Sequence, residues 1–164
     1  MTKTIVFDLD GTLLNTLEDL TDSVNHAMRQ FHLPEHSIEE IRTYVGNGAA
    51  KLIERAIPEG TKNAAYDKIL ETFRQHYQLH CEDKTGPYDG VLEMLAQLKQ
   101  EGYRMAIVSN KPDGAVKQLF HKYFSAYVEA AVGEHPGAMK KPAPDMVHQA
   151  LAELMSDVSH AVYV

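Results

Sequence analysis

The chain has 164 residues, of which 44% are hydrophobic and 24% are charged, and its formal net charge is −7. This composition is typical of a globular protein that buries a hydrophobic core. The negative charge disfavours non-specific binding to nucleic acid or anionic lipid, so we expect neither a nucleic-acid nor a membrane partner. A single cysteine, Cys81, excludes an internal disulfide framework and is typical of a protein from a reducing cytoplasm.

Short apolar runs and helical patterns alternate along most of the chain. The run at residues 4–7 predicts a buried strand that stops at Asp8. Further strands are predicted at residues 105–108, 127–132 and 161–164, and helices at residues 91–100, 113–123 and 145–154. This alternation predicts an α/β fold with a doubly wound, Rossmann-like, mostly parallel sheet that is covered by helices on both faces.

The segment after the first strand departs from this alternation, because it contains consecutive helical patterns and no convincing strand. Two helix starts have the form of a capping box, namely Thr16 with Asp19 and Ser37 with Glu40. We therefore predict an all-helical cap domain at residues 16–81, inserted into a core domain that comprises residues 1–15 and 82–164.

Two aspartates stand at the predicted end of the first strand, in the run Asp8-Leu9-Asp10-Gly11-Thr12. Two carboxylates at the mouth of a parallel sheet can share a reacting phosphoryl group, but their mutual repulsion requires a cation between them. Mg²⁺ is the expected cofactor, with Asp8 and Asp10 as its ligands, because this hard ion prefers oxygen. The alternative is a solvated acidic turn, which the preceding apolar strand and the following Gly-Thr disfavour.

The same run resembles the first motif of the haloacid dehalogenase superfamily, in the branch that contains phosphatases and phosphomutases. The resemblance implies that Asp8 attacks phosphorus to form an aspartyl-phosphate, and that Asp10 protonates the leaving oxygen and then activates water. An acid at position 10 favours hydrolysis or phosphoryl transfer, since the dehalogenases of the superfamily lack this acid and its ion pumps carry lysine there.

Later residues resemble two more motifs of the superfamily. Ser109 with Asn110, after the predicted strand at 105–108, would bind phosphoryl oxygens together with Thr12, although Ser-Asn after a strand is otherwise a common turn or helix cap. Lys141, which begins a Lys-Pro-Ala-Pro run, would offset charge on the nucleophile and on the transferring phosphoryl group. We expect the neighbouring Lys140 to be a solvated loop cation.

The fourth motif of the superfamily is a Gly-Asp pair with a further acid, which completes the magnesium site after the last strand of this series. The sequence reaches Val164 within the segment predicted to be that strand. We therefore expect a truncated chain with a weakened metal site and a sheet that is one strand short. Glu134 is a conceivable substitute ligand that we do not favour. A non-catalytic remnant of an enzyme remains an alternative.

The helical segment carries a second resemblance. Residues 42–48, Arg-Thr-Tyr-Val-Gly-Asn-Gly, and residues 52–56, Leu-Ile-Glu-Arg-Ala, look like the cap of bacterial phosphoglycolate phosphatases. This implies 2-phosphoglycolate as the substrate, with Arg55 or Lys51 paired to its carboxylate, whereas solvent-facing charge is the alternative for both cations. Pyrophosphatases and sugar-phosphate phosphatases carry similar caps.

The expected partner is a small phosphorylated metabolite, and the chain is expected to be a monomer or homodimer. A receiver domain is also phosphorylated on aspartate, but the helical insertion directly after the first strand disfavours it.

Overall fold

The computed structural model describes residues 3–164 of the chain. In chain order the strands are β1 (Thr4–Phe7), β2 (Leu14–Asn15), β3 (Gly86–Pro87), β4 (Arg104–Pro112), β5 (Ala130–Glu134) and β6 (Ala161–Tyr163). The helices are α1 (Leu17–Gln30), α2 (Ile38–Tyr44), α3 (Ala49–Ala56), α4 (Tyr66–His80), α5 (Val91–Gln100), α6 (Asp113–Tyr123) and α7 (Asp145–Glu153). Within residues 3–164, no helix is long and apolar enough to cross a membrane.

The chain divides into two compact units. One comprises Met1–Asn15 with Pro87–Val164, and the other comprises Thr16–Gly86. The first unit contains a four-stranded sheet in the order β5-β4-β1-β6, and every neighbouring pair is parallel. The structure therefore confirms the predicted α/β class and parallel sheet, with a helical segment between β2 and β3.

A hydrophobic cluster on one face of this sheet anchors the strands that lead to the site. Ala106 and Val108 of β4 point to the same face of the sheet, because side chains two apart on a strand share a face. Together with Val6 of β1, they are buried beneath α7. Met146 and Leu151 of α7 cover them. The carboxyl ends of β1 and β4 are thus held side by side in fixed register, with Phe7 opposite Ile107.

Three predicted strand boundaries were wrong by more than one residue, and one of them is the end of β5, which lies at Glu134 instead of Val132. β4 runs through Ser109–Lys111 to Pro112, beyond the predicted end at Val108. β5 begins at Ala130 instead of Tyr127, because the amides of residues 127 and 128 both donate to the Phe124 carbonyl oxygen, at 2.8 and 2.9 Å, and close the end of α6. At the start of β5, hydrogen bonds that apolar patterning does not encode therefore determine where the strand begins.

One of the two predicted capping boxes is present. At the start of α2, the Glu40 amide donates to Ser37 Oγ and the Ser37 amide donates to Glu40 Oε2, over 3.3 and 2.7 Å. The predicted box at Thr16 was wrong, because the Thr16 side chain makes no capping bond and the Asp19 carboxylate is used elsewhere. Asp19 is only 2% exposed and accepts bonds of 2.7–3.0 Å from the Lys84 and Thr85 amides and from Thr85 Oγ1.

Replacing Asp19 with Ala is expected to lower the free energy of unfolding by about 2–4 kcal/mol, because it leaves two buried donors of Thr85 and the partly buried Lys84 amide without their acceptor. Urea denaturation measures this change. Asp22→Ala is the matched control, since the exposed Asp22 pairs with the Lys84 ammonium at 2.7 Å and is expected to contribute less than about 1 kcal/mol. Equal losses in the two variants would contradict the assignment.

Three histidine rings stack between two helices of the second unit. His76 of α4 lies between His26 and His80, with ring centroids 4.1 and 4.3 Å away. Partial burial and then the charges of His26, His80 and Arg29 lower the pKa of His76 below its usual value of 6.5, while Asp22 opposes them. The folded chain therefore binds a proton at His76 more weakly than the unfolded chain does. The contribution of neutral His76 to the free energy of unfolding is complete above pH 6.5 and decreases as the pH falls below 6.5.

The His76→Gln variant is therefore expected to lose less stability than the unmodified chain when the pH is lowered from about 7.5 to about 5.5. Urea denaturation of both proteins at the two pH values measures the difference, and groups that titrate elsewhere cancel between them. An equal or greater loss in His76→Gln would show that the stacked rings do not oppose protonation.

Candidate active site

Polar side chains from two strands and one loop meet at the carboxyl edge of the parallel sheet, where ligands of such sheets bind. Asp8 follows β1 directly, and the amide of Asp8 donates to the carbonyl oxygen of Val164 at 2.8 Å. The neighbouring strand β4 supplies the segment Ser109–Lys111, and the loop after β5 supplies Lys141. All of these residues belong to the first unit.

Asp8 is held through one carboxylate oxygen. Its Oδ1 accepts a bond from the Leu9 amide at 2.7 Å and lies 2.8 Å from the Lys141 ammonium. The side chain is still 35% exposed, so the carboxylate is oriented and remains open to a ligand. An oriented, lysine-paired carboxylate of this kind suits a nucleophile.

Asp10 lies on a tight turn directly after β1. Gly11 has a φ of +78°, a conformation that glycine adopts readily, and the amides of Leu13 and Leu14 both donate to the Leu9 carbonyl oxygen at 3.0 Å. This turn exposes 16% of the Asp10 side chain. Thr12, the predicted phosphate-binding residue on the same turn, has a half-buried side chain.

Both oxygens of the Asp10 carboxylate are bound by β4. Lys111 Nζ lies 2.8 Å from Oδ1, and Ser109 Oγ donates to Oδ2 at 3.2 Å. The Lys111 side chain is only 3% exposed. Lys111 was not predicted as a site residue. The sequence did contain a signal, since residues two apart on a strand share a face and Ser109 was already a candidate.

Lys141 makes three contacts through its ammonium group. Besides Asp8, Nζ donates to the Val108 carbonyl oxygen at 3.1 Å and to Tyr163 Oη at 2.6 Å, and it lies 5.3 Å from the centre of the Tyr163 ring. Tyr163 was not predicted either, because its only sequence signal was an apolar strand pattern. The competing cation, Lys140, is 3.4 Å from Glu134 Oε1 instead.

Asn110 holds the backbone of Lys141. Its Oδ1 accepts from the Lys141 amide at 2.7 Å, and its Nδ2 donates to the Lys141 carbonyl oxygen at 3.1 Å. Both polar groups of the side chain are therefore engaged in fixing the loop that carries the lysine. The prediction that Asn110 also binds phosphate remains a prediction, as it does for Ser109 and Thr12.

Arg55 and Lys51 lie in α3 of the second unit. The Arg55 guanidinium donates to the Tyr44 carbonyl oxygen at 2.8 Å and to Asn47 Oδ1 at 3.0 Å, so it braces the turn between α2 and α3. Lys51 pairs with Glu54 at 2.7 Å. Both cations thus have partners within their own unit, and a role of either in binding substrate remains a prediction.

The acids of the site fit a magnesium ion only as a pair. Among residues 3–164, no three His, Cys, Asp or Glu side chains are grouped so that they could hold a metal ion. Glu134, the conceivable third ligand, is paired with Lys140, and its buried Oε2 has no hydrogen-bond partner within the described chain. Mg²⁺ is commonly held by one or two carboxylates together with water and substrate phosphate, so Asp8 and Asp10 are chemically suitable ligands.

Known sequences and structures share this arrangement of elements. Residues 5–164 match the sequence profile of haloacid dehalogenase-like hydrolases. A phosphoglycolate phosphatase of Mesorhizobium japonicum is 33% identical over 164 residues, which cover 98% of this chain and 72% of that protein. One from Aquifex aeolicus is 29% identical and is covered over 75% of its length.

Solved structures agree with the sequence matches. A crystal structure from Lactobacillus delbrueckii subsp. bulgaricus, of a candidate phosphoglycolate phosphatase, superposes with a TM-score of 0.92 at 33% identity and covers 99% of this chain and 78% of its own. The Rhodobacter sphaeroides protein CbbY, solved in complex with phosphate, has a TM-score of 0.76 at 22% identity, with coverage of 99% and 77%. This second likeness shows the fold alone.

Proposed function

The chain belongs to the haloacid dehalogenase-like hydrolase family, and on that basis we propose that it hydrolyses a small phosphomonoester, 2-phosphoglycolate, through a phosphorylated Asp8. The observation that carries the proposal is the pair of lysine-bound carboxylates at the end of β1, with Lys141 on Asp8 and Lys111 on Asp10, each at 2.8 Å. Positioned carboxylates next to fixed positive charge are what phosphoryl transfer requires.

In the first half-reaction, Asp8 attacks phosphorus. Its Oδ1 is bound by Lys141 and the Leu9 amide, so we assign the attack to Oδ2. A bond forms between Asp8 and phosphorus, the bond to the leaving oxygen breaks, and Asp10 gives a proton to that oxygen. Lys141 offsets the negative charge that accumulates on Asp8 and on the phosphoryl oxygens.

In the second half-reaction, Asp10 takes a proton from water as the water oxygen attacks phosphorus. The bond between phosphorus and Asp8 breaks, which releases inorganic phosphate and restores the Asp8 carboxylate and the protonated Asp10. Mg²⁺ bound by Asp8 and Asp10 would supply further positive charge for the phosphoryl oxygens.

The substrate assignment is supported by the relatives. Those of about 33% identity are named phosphoglycolate phosphatases, and residues 42–48 and 52–56 resemble the cap of such enzymes. Arg55 lies within the second stretch and Lys51 directly before it. Either cation can pair with a carboxylate, which 2-phosphoglycolate has and inorganic pyrophosphate lacks. Pyrophosphate and sugar phosphates are therefore the informative competitors.

Phosphate release tests the proposal. The purified chain is assayed with 2-phosphoglycolate, pyrophosphate and several sugar phosphates, with Mg²⁺ or with a chelator, and Asp8→Asn serves as the blank for contaminating phosphatases. We expect Mg²⁺-dependent release with kcat/KM at least about tenfold higher for 2-phosphoglycolate, as one specific ion pair can supply. Higher kcat/KM for a competitor would overturn the substrate, and no release from a folded chain would overturn the activity.

A further inference from the structure

The buried lysine of the site, Lys111, has no assigned task in the two half-reactions. Its side chain is 3% exposed, and its ammonium lies 2.8 Å from Asp10 Oδ1. Burial of an ammonium group is strongly unfavourable unless the group is paired, so the ion pair with Asp10 is what allows Lys111 to be buried here. It joins residues that are about 100 positions apart in the sequence, and this excludes a local helical or turn contact.

The backbone of β4 is irregular where Lys111 lies. The register with β5 shifts between Val108 and Pro112, so the segment Ser109–Lys111 leaves the regular ladder. Irregularities of this kind redirect side chains next to active sites. Here the Ser109 and Lys111 side chains both reach Asp10, one on each carboxylate oxygen, and the Lys111 amide also donates to Ser109 Oγ at 3.2 Å.

Binding of both oxygens restricts rotation of the Asp10 carboxylate. A hydroxyl donor such as Ser109 alone leaves the carboxylate free to turn about its last bond, whereas a second donor on the other oxygen fixes its plane. The second half-reaction needs a carboxylate oxygen that is held in a fixed position toward the attacking water.

We propose that Lys111 is a positioning residue that holds the Asp10 carboxylate in place to activate water, so that with a substrate whose leaving group needs no proton it acts on hydrolysis of the phosphorylated Asp8 and not on its formation. The inference rests on the proposed function, in which Asp10 acts in both half-reactions. Lys111 itself contacts neither the phosphoryl group nor the water in this role. It differs from Lys141, whose ammonium is bound to the nucleophile.

An activated aryl ester separates the two half-reactions. p-Nitrophenyl phosphate has a leaving group that needs no proton, so phosphorylation of Asp8 from it does not depend on Asp10. In Lys111→Met we expect a burst of nitrophenolate close to one equivalent, with a burst rate within about twofold of the unmodified chain, followed by steady-state turnover that is at least about tenfold slower. The phosphorylated protein should accumulate. A purely structural defect would lower burst and steady state together.

Lys111→Arg is the second variant. It keeps the charge but moves it, and we expect a steady-state rate between those of Lys111→Met and the unmodified chain, with the same burst. If circular dichroism shows that Lys111→Met does not fold, Lys111→Arg decides alone, and a steady state equal to that of the unmodified chain overturns the inference. Unchanged turnover in a folded Lys111→Met also overturns it, as does equal loss of burst and turnover.

Failure of the proposed function gives a different result. If the unmodified chain shows no turnover, or if Asp8→Asn still gives a burst, the covalent mechanism itself is wrong, whatever Lys111 does. If the unmodified chain turns over and Asp8→Asn is silent, the Lys111 variants test the positioning role alone.

Discussion

Asp8→Asn is expected to reduce phosphate release by at least about 10⁴-fold, because removal of a covalent nucleophile eliminates the main reaction path. The substitution keeps the size of the side chain and one oxygen that can accept the Leu9 amide, so the turn after β1 should persist. Loss of activity would then reflect the missing carboxylate. The measurement is kcat for 2-phosphoglycolate in the presence of Mg²⁺.

Asp67→Asn is the matched control for this prediction. It makes the same change of charge at an exposed position in the first turn of α4, and turnover is expected to stay within about twofold. Residual activity of Asp8→Asn above about one tenth of the unmodified rate would place the nucleophile elsewhere.

Lys141→Met is expected to lower kcat/KM by about 10²–10³-fold, the effect of removing one preorganised positive or hydrogen-bonding group from a site of charge development. Lys141 contacts Asp8 and the Val108 carbonyl oxygen directly, so its loss removes charge compensation where phosphorus is attacked. Because Asp8 is 35% exposed, water can solvate the unpaired carboxylate and the chain should still fold.

The neighbouring lysine provides the control for Lys141. Lys140 pairs with Glu134 at 3.4 Å and is 38% exposed, so Lys140→Met is expected to change kcat/KM by less than about threefold. Steady-state kinetics of both variants under the same conditions gives the comparison. A larger loss in Lys140→Met than in Lys141→Met would show that the wrong cation was assigned to the site.

The sequence predicted the framework of the fold because its signals are local. Short apolar runs predicted the strands β1 and β4, and periodic apolar faces predicted the helices α5, α6 and α7. The parallel sheet follows from the alternation of these strands and helices. The capping box at Ser37 was correct for the same reason, since both of its partners lie within one helical turn.

Predictions failed where a side chain bonds to a residue that is distant in the sequence. Asp19 has the spacing of a capping residue, but its carboxylate accepts hydrogen bonds from the Lys84 and Thr85 amides instead. No residue near Asp19 in the sequence indicates these bonds. Lys111 is a similar case, because its partner Asp10 lies on the turn that follows the neighbouring strand β1. Such pairings depend on strand register, which residue patterns within one segment do not specify.

The candidate site could be predicted only in part. Asp8 and Asp10 were named because they follow a predicted strand, and Lys141 because its Lys-Pro-Ala-Pro run resembles a motif of the family. The structure brings these residues and Ser109 to one edge of the sheet. The contacts that orient them were not foreseen. The bonds by which the Asn110 side chain holds the Lys141 backbone were not predicted, and Tyr163 was expected only as part of a strand.

The most direct test of the central claim, a phosphorylated Asp8, is to trap the phosphoryl group. The chain is quenched in acid during turnover of 2-phosphoglycolate, reduced with borohydride, which converts aspartyl-phosphate to homoserine, and analysed by peptide mass spectrometry. Homoserine is expected at position 8 only when substrate is present, and Asp10 is expected to remain unmodified. Phosphate release without modification of Asp8, or with the phosphoryl group on another residue, would contradict it.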